Sequence, residues 1–149
     1  MSEQPLNWMH DNPFVLEWQI DETHIDHYEH VNNVAYVTQV EKLSWAHSNN
    51  LGLHFSDYKT LNRAMVIKRH ELNYHLPTHL GDKLLCATWI IHCDSKLTLK
   101  RQFQFICPKR NKTVFDAITT FVCVSLDKGT PKRMPAEFSD IYGKASIAL

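Results

Sequence analysis

The sequence predicts an α+β layer fold, a five-stranded antiparallel sheet packed on one long helix. Three observations carry this prediction. Five runs have the alternation or apolar density of β-strands. One run places its apolar residues three and four apart, as a helix does. The order along the chain is one strand, the helix, then four strands. A chain of 149 residues suits one domain and buries a core without disulfides or metal. The domain is therefore taken as 1–149, with its core over about 14–135.

Residues 1–13 form a loose lead-in closed by Pro13. The first strand is "FVLEWQID", residues 14–21. Phe14, Leu16, Trp18 and Ile20 share one face, and Glu17, Gln19 and Asp21 the other. From Val34 the period changes. Tyr36, Val37, Val40, Leu43 and Ser44 make a helical stripe over about 33–49. Asn32 or Asn33 can cap its start, and "NNLG", Asn49 to Gly52, reads as its stop.

A loop follows, then strand signals dominate. "AMVIKRHELNYHL" (64–76) is mixed but β-like and ends at Pro77. "LGD" (80–82) is a turn. "KLLCATWIIHC" (83–93) is nearly continuous apolar, as in a strand covered on both faces. "DSK" (94–96) is a hairpin turn. In "LTLKRQFQFIC" (97–107), Leu97, Leu99, Phe103 and Phe105 alternate with Thr98, Lys100, Gln102 and Gln104. "PKRNK" turns into the last long strand, "TVFDAITTFVCVSL" (113–126), and a short tail ends the chain. These strands exceed the usual ~5–6 residues. One helix covers only one face of such a sheet. The remaining apolar surface predicts dimerisation, as a homodimer or a dimer of dimers.

The composition is that of a globular protein, 44% apolar and 21% charged, with 4 Gly and 6 Pro. Net charge is zero but uneven. Residues 1–60 carry 9 acidic and 2 basic side chains, and residues 61–149 carry 14 basic and 7 acidic. This asymmetry fits either a basic face suited to a phosphorylated ligand or an evenly solvated surface, whereas nucleic-acid binding has little support because net charge is zero and no basic stripe with aromatics occurs. Cys86, Cys93, Cys107 and Cys123 lie in strand-like runs without a C-x-x-C pair, which predicts buried free thiols and a reducing compartment. The start "MSEQPLNWMHDNP" lacks the basic and apolar regions of a signal peptide, and no run approaches ~18 apolar residues. The expected location is the cytoplasm, away from the membrane.

The chemistry concentrates in "HIDHYEHVNN", His24 to Asn33. Three readings fit its residue types: a metal site, an acid–base site, or a solvated polar loop. The spacing of His24, His27 and His30 disfavours metal, because residues at i, i+3 and i+6 rotate around a helix instead of converging. The position favours chemistry. A strand feeding a helix start leaves N–H groups pointing outward, and Asp26 lies just upstream. A carboxylate beside oriented donors supplies a base or nucleophile and an oxyanion site.

"DHYEHVNNVAYVTQVE", Asp26 to Glu41, resembles the active-site segment of hotdog-fold thioesterases, the family of 4-hydroxybenzoyl-CoA, bacterial acyl-CoA and plant acyl-ACP thioesterases. "ELNYHLPTHLGDKL" is similar to that family's second strand and following turn. The resemblance covers about residues 14–135. It implies a hotdog fold, a five-stranded antiparallel sheet wrapped around one long helix, and hydrolysis of an acyl- or aroyl-CoA without a cofactor or metal. It implies that Asp26 acts as general base or nucleophile and that the backbone N–H near Asn33 polarises the thioester carbonyl. His30 matches the His of the plant D-x-N-x-H segment, but the middle Asn is Tyr28 here, so Asp26 is the safer assignment. Glu41 matches a helix Glu of relatives and is expected to be structural.

Coenzyme A brings phosphates, and four Lys-Arg pairs are available: 68–69, 100–101, 109–110 and 132–133. The pairs in turns reach furthest, and Lys132 and Arg133 are the expected phosphate contacts. Tyr36, Trp45, Phe55, Tyr58 and Trp89 are candidates to line the acyl site. An acyl carrier protein would also favour a basic patch. Acyl-ACP hydrolysis and non-catalytic acyl-thioester binding are the alternatives. A third is hydroxyacyl dehydration, by a class that pairs a His with an acidic residue and some of whose members carry an "HFPG"-like segment; here His54-Phe55 is followed by Ser56-Asp57 instead.

Overall fold

The computed structural model describes residues 5–148. Its elements are β1 (Phe14–Gln19), α1 (Asn33–Asn50), α2 (Phe55–Leu61), β2 (Arg63–Tyr74), β3 (Lys83–Cys93), β4 (Thr98–Cys107), β5 (Lys112–Ser125) and α3 (Ala136–Ala145). The strands form one antiparallel sheet in the order β1-β3-β4-β5-β2. Helix α1 lies on its inner face. This is the hotdog arrangement that the resemblance implies.

The inner face follows strand parity. Leu99, Phe103 and Phe105 of β4 and Phe115, Ala117 and Phe121 of β5 point toward the helices and are buried. Tyr36, Val40 and Leu43 of α1 cover them, and Tyr36 stacks on Phe115 at 5.0 Å. Fully burying side chains of this size contributes ~1.5–3 kcal/mol each. Helix α1 also buries Gln39, His47 and Ser48. Its buried face is thus partly polar. Asn32 is the cap, its Oδ1 accepting from Val34 N–H at 2.8 Å. Gly52, at φ 98°, ends the helix in a conformation that L side chains rarely adopt.

Two helices were not expected. The supposed loop after Gly52 holds α2, where the Asp57 carboxylate accepts from the His54 N–H at 2.8 Å and Asn62 closes the end at φ 53°. The supposed tail is α3, which buries Phe138 and Tyr142 one turn apart. They join Leu53, Tyr58, Ile90, Leu99 and Phe121 in a second apolar cluster, so the core extends beyond 135. Residues 1–4 of the lead-in lie outside the described residues, and the rest is placed. Met9 N–H donates to Gln104 Oε1 at 2.8 Å, and Trp89 Nε1–H donates to the Asp11 carbonyl at 3.0 Å. Residues 7–12 therefore cover part of the outer face that was expected to need a partner. Trp89 packs there against Trp8, away from any acyl site under the helix.

Candidate active site

After β1 a single 3-10 turn, Glu22–His24, is capped by Asp21, whose Oδ1 accepts from Thr23 N–H at 2.8 Å. Thr23's hydrogen bonds hold the Asp21 carboxyl below its ordinary range. Ile25 and Val31 then pair as an antiparallel bridge, and Asp26–His30 form the loop between them. The Asp26 N–H donates to the His30 carbonyl at 2.9 Å, and Glu29 turns the chain at φ 61°. Asp26 Oδ1 accepts from the N–H groups of Tyr28 at 2.8 Å and His30 at 3.3 Å. This is an Asx turn, which clamps the carboxylate through one oxygen. Oδ2 has no hydrogen-bond partner among the described residues.

The loop delivers the chain to the start of α1. Val31 N–H donates to the Thr78 carbonyl at 2.9 Å, and Asn32 N–H to the His24 carbonyl at 2.7 Å. The Asn32 side chain and carbonyl take up the N–H groups of Val34 and Ala35. The Asn33 N–H is left without an acceptor among the described residues. On the other side of that residue, Tyr74 Oη–H donates to the Asn33 carbonyl at 3.2 Å. Asp26, His30, Asn33 and Tyr36 line one cleft of about 370 Å³, whose opposite wall includes Tyr74 and His75. Tyr36 donates to Thr78 Oγ1 at 2.9 Å, and burial raises its phenol pKa. Asp26, with one carboxylate oxygen unpartnered among the described residues, and Asn33, at the helix start, thus line one cleft; a carboxylate beside an oriented N–H is an arrangement able to act on a thioester.

Residues 20–141 match the model of the thioesterase-like superfamily. The chain belongs to this superfamily. It is 31% identical over 103 residues to the long-chain acyl-CoA thioesterase FadM of Escherichia coli (strain K12), covering 69% of this chain and 76% of the relative. Among solved structures, it matches YbaW, a probable thioesterase from Escherichia coli, with a TM-score of 0.77 at 23% identity, covering 89% of this chain and 98% of that one. It matches SAV2348 from Staphylococcus aureus, solved in complex with CoA, with a TM-score of 0.83 at 16% identity, covering 96% and 91%. These two likenesses establish the hotdog fold.

Other expected residues of this superfamily member go elsewhere. Lys132 and Arg133 follow β5 beside Cys123 and Arg63, at the start of β2. The cleft lies at the other end of β2, roughly 30 Å away along the strand. The structure does not bring this pair to Asp26. The three histidines diverge. His24 Nδ1 accepts from the Asp21 N–H at 3.0 Å, His27 is exposed, and the His30 ring meets His79 edge-on at 5.1 Å. Tyr28 is 82% exposed. Glu41 lines a second cavity, with Trp45 and Tyr58.

Two groups escaped the sequence analysis. Asp116 of β5 accepts from His75 Nε2–H at 2.6 Å and from Asn73 Nδ2–H at 2.8 Å, and His75 lines the Asp26 cleft. Only strand pairing brings residues 41 apart together, so no local signal marked this pair. Arg101 is 2% exposed on the inner face. Its parity with Leu99 and Phe103 is a usable signal, but Lys100-Arg101 was weighed only as a phosphate contact.

Proposed function

We propose that the protein is an acyl-CoA thioesterase that hydrolyses acyl-CoA to the free acid and CoA. The observation that carries this reading is the shared cleft, with the Asp26 carboxylate and the free Asn33 N–H at one helix start. Kinship with acyl-CoA thioesterases supports it. The Asp26 loop leaves Oδ2 free to take a proton from water as that water attacks the thioester carbon, or to attack that carbon itself and form an anhydride that water then hydrolyses to the free acid. As the carbonyl oxygen gains charge, the Asn33 N–H donates to it. This donor is fixed before the reaction by the cap at Asn32 and by the Tyr74 bond to the Asn33 carbonyl. One such donor is worth ~10²–10³ in rate. The thiolate then leaves and takes up a proton. His30 shapes this site through its backbone N–H to Asp26. Tyr36 forms a wall for the acyl group next to the thioester.

The nucleotide phosphates are assigned to the 109–110 turn in place of Lys132 and Arg133. Arg110 donates to the carbonyl of Pro77, a residue of the cleft wall, at 3.0 Å. The working unit is a homodimer. Strand β2 is a sheet edge of 12 residues with Val66 and Ile67 43% and 49% exposed, and an edge of this kind invites pairing with a second copy. All four cysteines are free thiols, which suits the reducing cytoplasm. No described helix is long and apolar enough to cross a membrane.

Thiol release from short, medium, long and aromatic acyl-CoAs, with the same acyl groups on acyl carrier protein, tests the reading. Turnover of at least one acyl-CoA is expected. Turnover confined to the carrier-protein thioesters would reassign the substrate. Binding of acyl-CoA without turnover would make the protein a binder.

A further inference from the structure

The second cavity, about 260 Å³, lies between α1 and the inner face of β2, β4 and β5, further along the helix from the Asp26 cleft. Its walls are mainly apolar, with Val37, Val40, Trp45, Met65, Leu99 and Phe121, and Ser44, His70 and Thr119 add polar groups. Arg101 lines it and is almost wholly buried. Every described partner of this guanidinium is uncharged. Nη1–H donates to His47 Nδ1 at 2.6 Å and Nη2–H to Ser48 Oγ at 2.7 Å. The Tyr142 ring lies under it at 5.7 Å, and the Tyr142 and Tyr58 hydroxyls bond to each other. No described carboxylate lies within ion-pair distance. Glu41, on the rim, is exposed and makes no bridge to it.

A buried guanidinium without a counter-ion is costly, and a bound anion would offset that cost. It offers five donors in a plane that matches a carboxylate, of which His47 and Ser48 take two. His47 is held as the neutral imidazole, its pKa pushed down to about 3 by burial and by Arg101 itself, so it accepts and adds no second charge. A solvated phosphate does not suit an apolar chamber of this size, whereas a carboxylate on a hydrocarbon body matches both charge and walls. We propose that this cavity binds an apolar carboxylate, with its carboxyl group on Arg101. Two sources share that chemistry: a free fatty acid, or the far end of a thioester whose acyl group bears a terminal carboxylate. The binding claim stands independently of the thioesterase reading.

The first arm uses calorimetry on the intact wild-type protein with octanoate, octanol and octanamide. Octanoate is expected to bind about 10-fold or more tighter than either neutral analogue. Arg101→Met should erase that preference, and Met65→Trp, which fills the chamber and keeps Arg101, should abolish octanoate binding. Equal or tighter binding of octanol or octanamide to the wild type overturns the proposal, and this comparison needs no variant to fold. The second arm compares hydrolysis of octanoyl-CoA with that of the mono-CoA thioester of octanedioate. A preference of about 10-fold in kcat/KM for the latter, lost in Arg101→Met, identifies the terminal carboxylate as the source. Octanoate binding with equal hydrolysis of both thioesters identifies the free acid. Absence of hydrolysis of either thioester counts against the thioesterase reading and leaves the calorimetric result to decide the cavity.

Discussion

At the residue scale, the polar side chains of the inner face set both the chemistry and its limits. His47 is buried, stacked on Phe14 at 5.0 Å, and accepts from Arg101. Its pKa falls to about 3 from the ordinary 6.5. Between those values the unfolded chain binds a proton that the folded protein refuses. Stability therefore falls as pH drops through that window and recovers above it. From pH 7 to pH 5 the loss is on the order of 2 kcal/mol for this one group. Urea unfolding across that range should show the slope, and His47→Gln should flatten it. Tyr36→Phe removes a buried hydrogen bond to Thr78, a residue whose carbonyl also anchors Val31. A loss of about 1 kcal/mol in urea unfolding is expected, with the stacked core retained. Parity alone marked Arg101 as inward, but a cation at an apolar position is easily assigned to the surface. The His75–Asp116 pair was illegible because sequence does not state strand register.

At the scale of elements, the start of α1 joins fold to function. Asn32 spends its side chain on Val34, and that geometry leaves the next N–H, that of Asn33, free. Asn32→Ala should cost about 1 kcal/mol of stability in urea unfolding. It should also lower kcat more than it raises KM, because the donor it disturbs is the one proposed to bind the developing oxyanion. Asn32→Asp restores a capping acceptor and should recover the stability. The five strands and α1 were legible because their periods of two and 3.6 run long enough to count. Helices α2 and α3 were not. The first is 7 residues long and too short to show a stripe. The second follows a Pro- and Lys-rich turn and presents only Phe138 and Tyr142 as fully buried anchors. The Asp26 loop was recognisable by its residues, but its clamp on Oδ1 depends on the positive φ of Glu29, which no pattern in the sequence marks.

At the scale of the molecule, the sheet has two edges, and β2 is the long one. The expectation that uncovered apolar surface calls for a partner is partly met within the chain, by residues 7–12 on the outer face. Val66 and Ile67 on the β2 edge stay exposed. Ile67→Lys places a charge there and should convert a dimer to a monomer in sedimentation equilibrium, while wild type sediments as a dimer or a dimer of dimers. A monomeric wild type would contradict the proposed assembly. In the cleft at the other end of β2, one Asp26 oxygen is held by the backbone and the other has no partner among the described residues. Asp26→Asn keeps the oxygen that accepts from Tyr28 and His30 and removes the charge that acts on water or on the thioester. The decisive measurement is thiol release from the best acyl-CoA by wild type and Asp26→Asn, with both melting curves recorded. The account predicts an unchanged melting temperature and a fall in kcat of ~10²-fold or more. Wild-type turnover in a folded Asp26→Asn protein would contradict it.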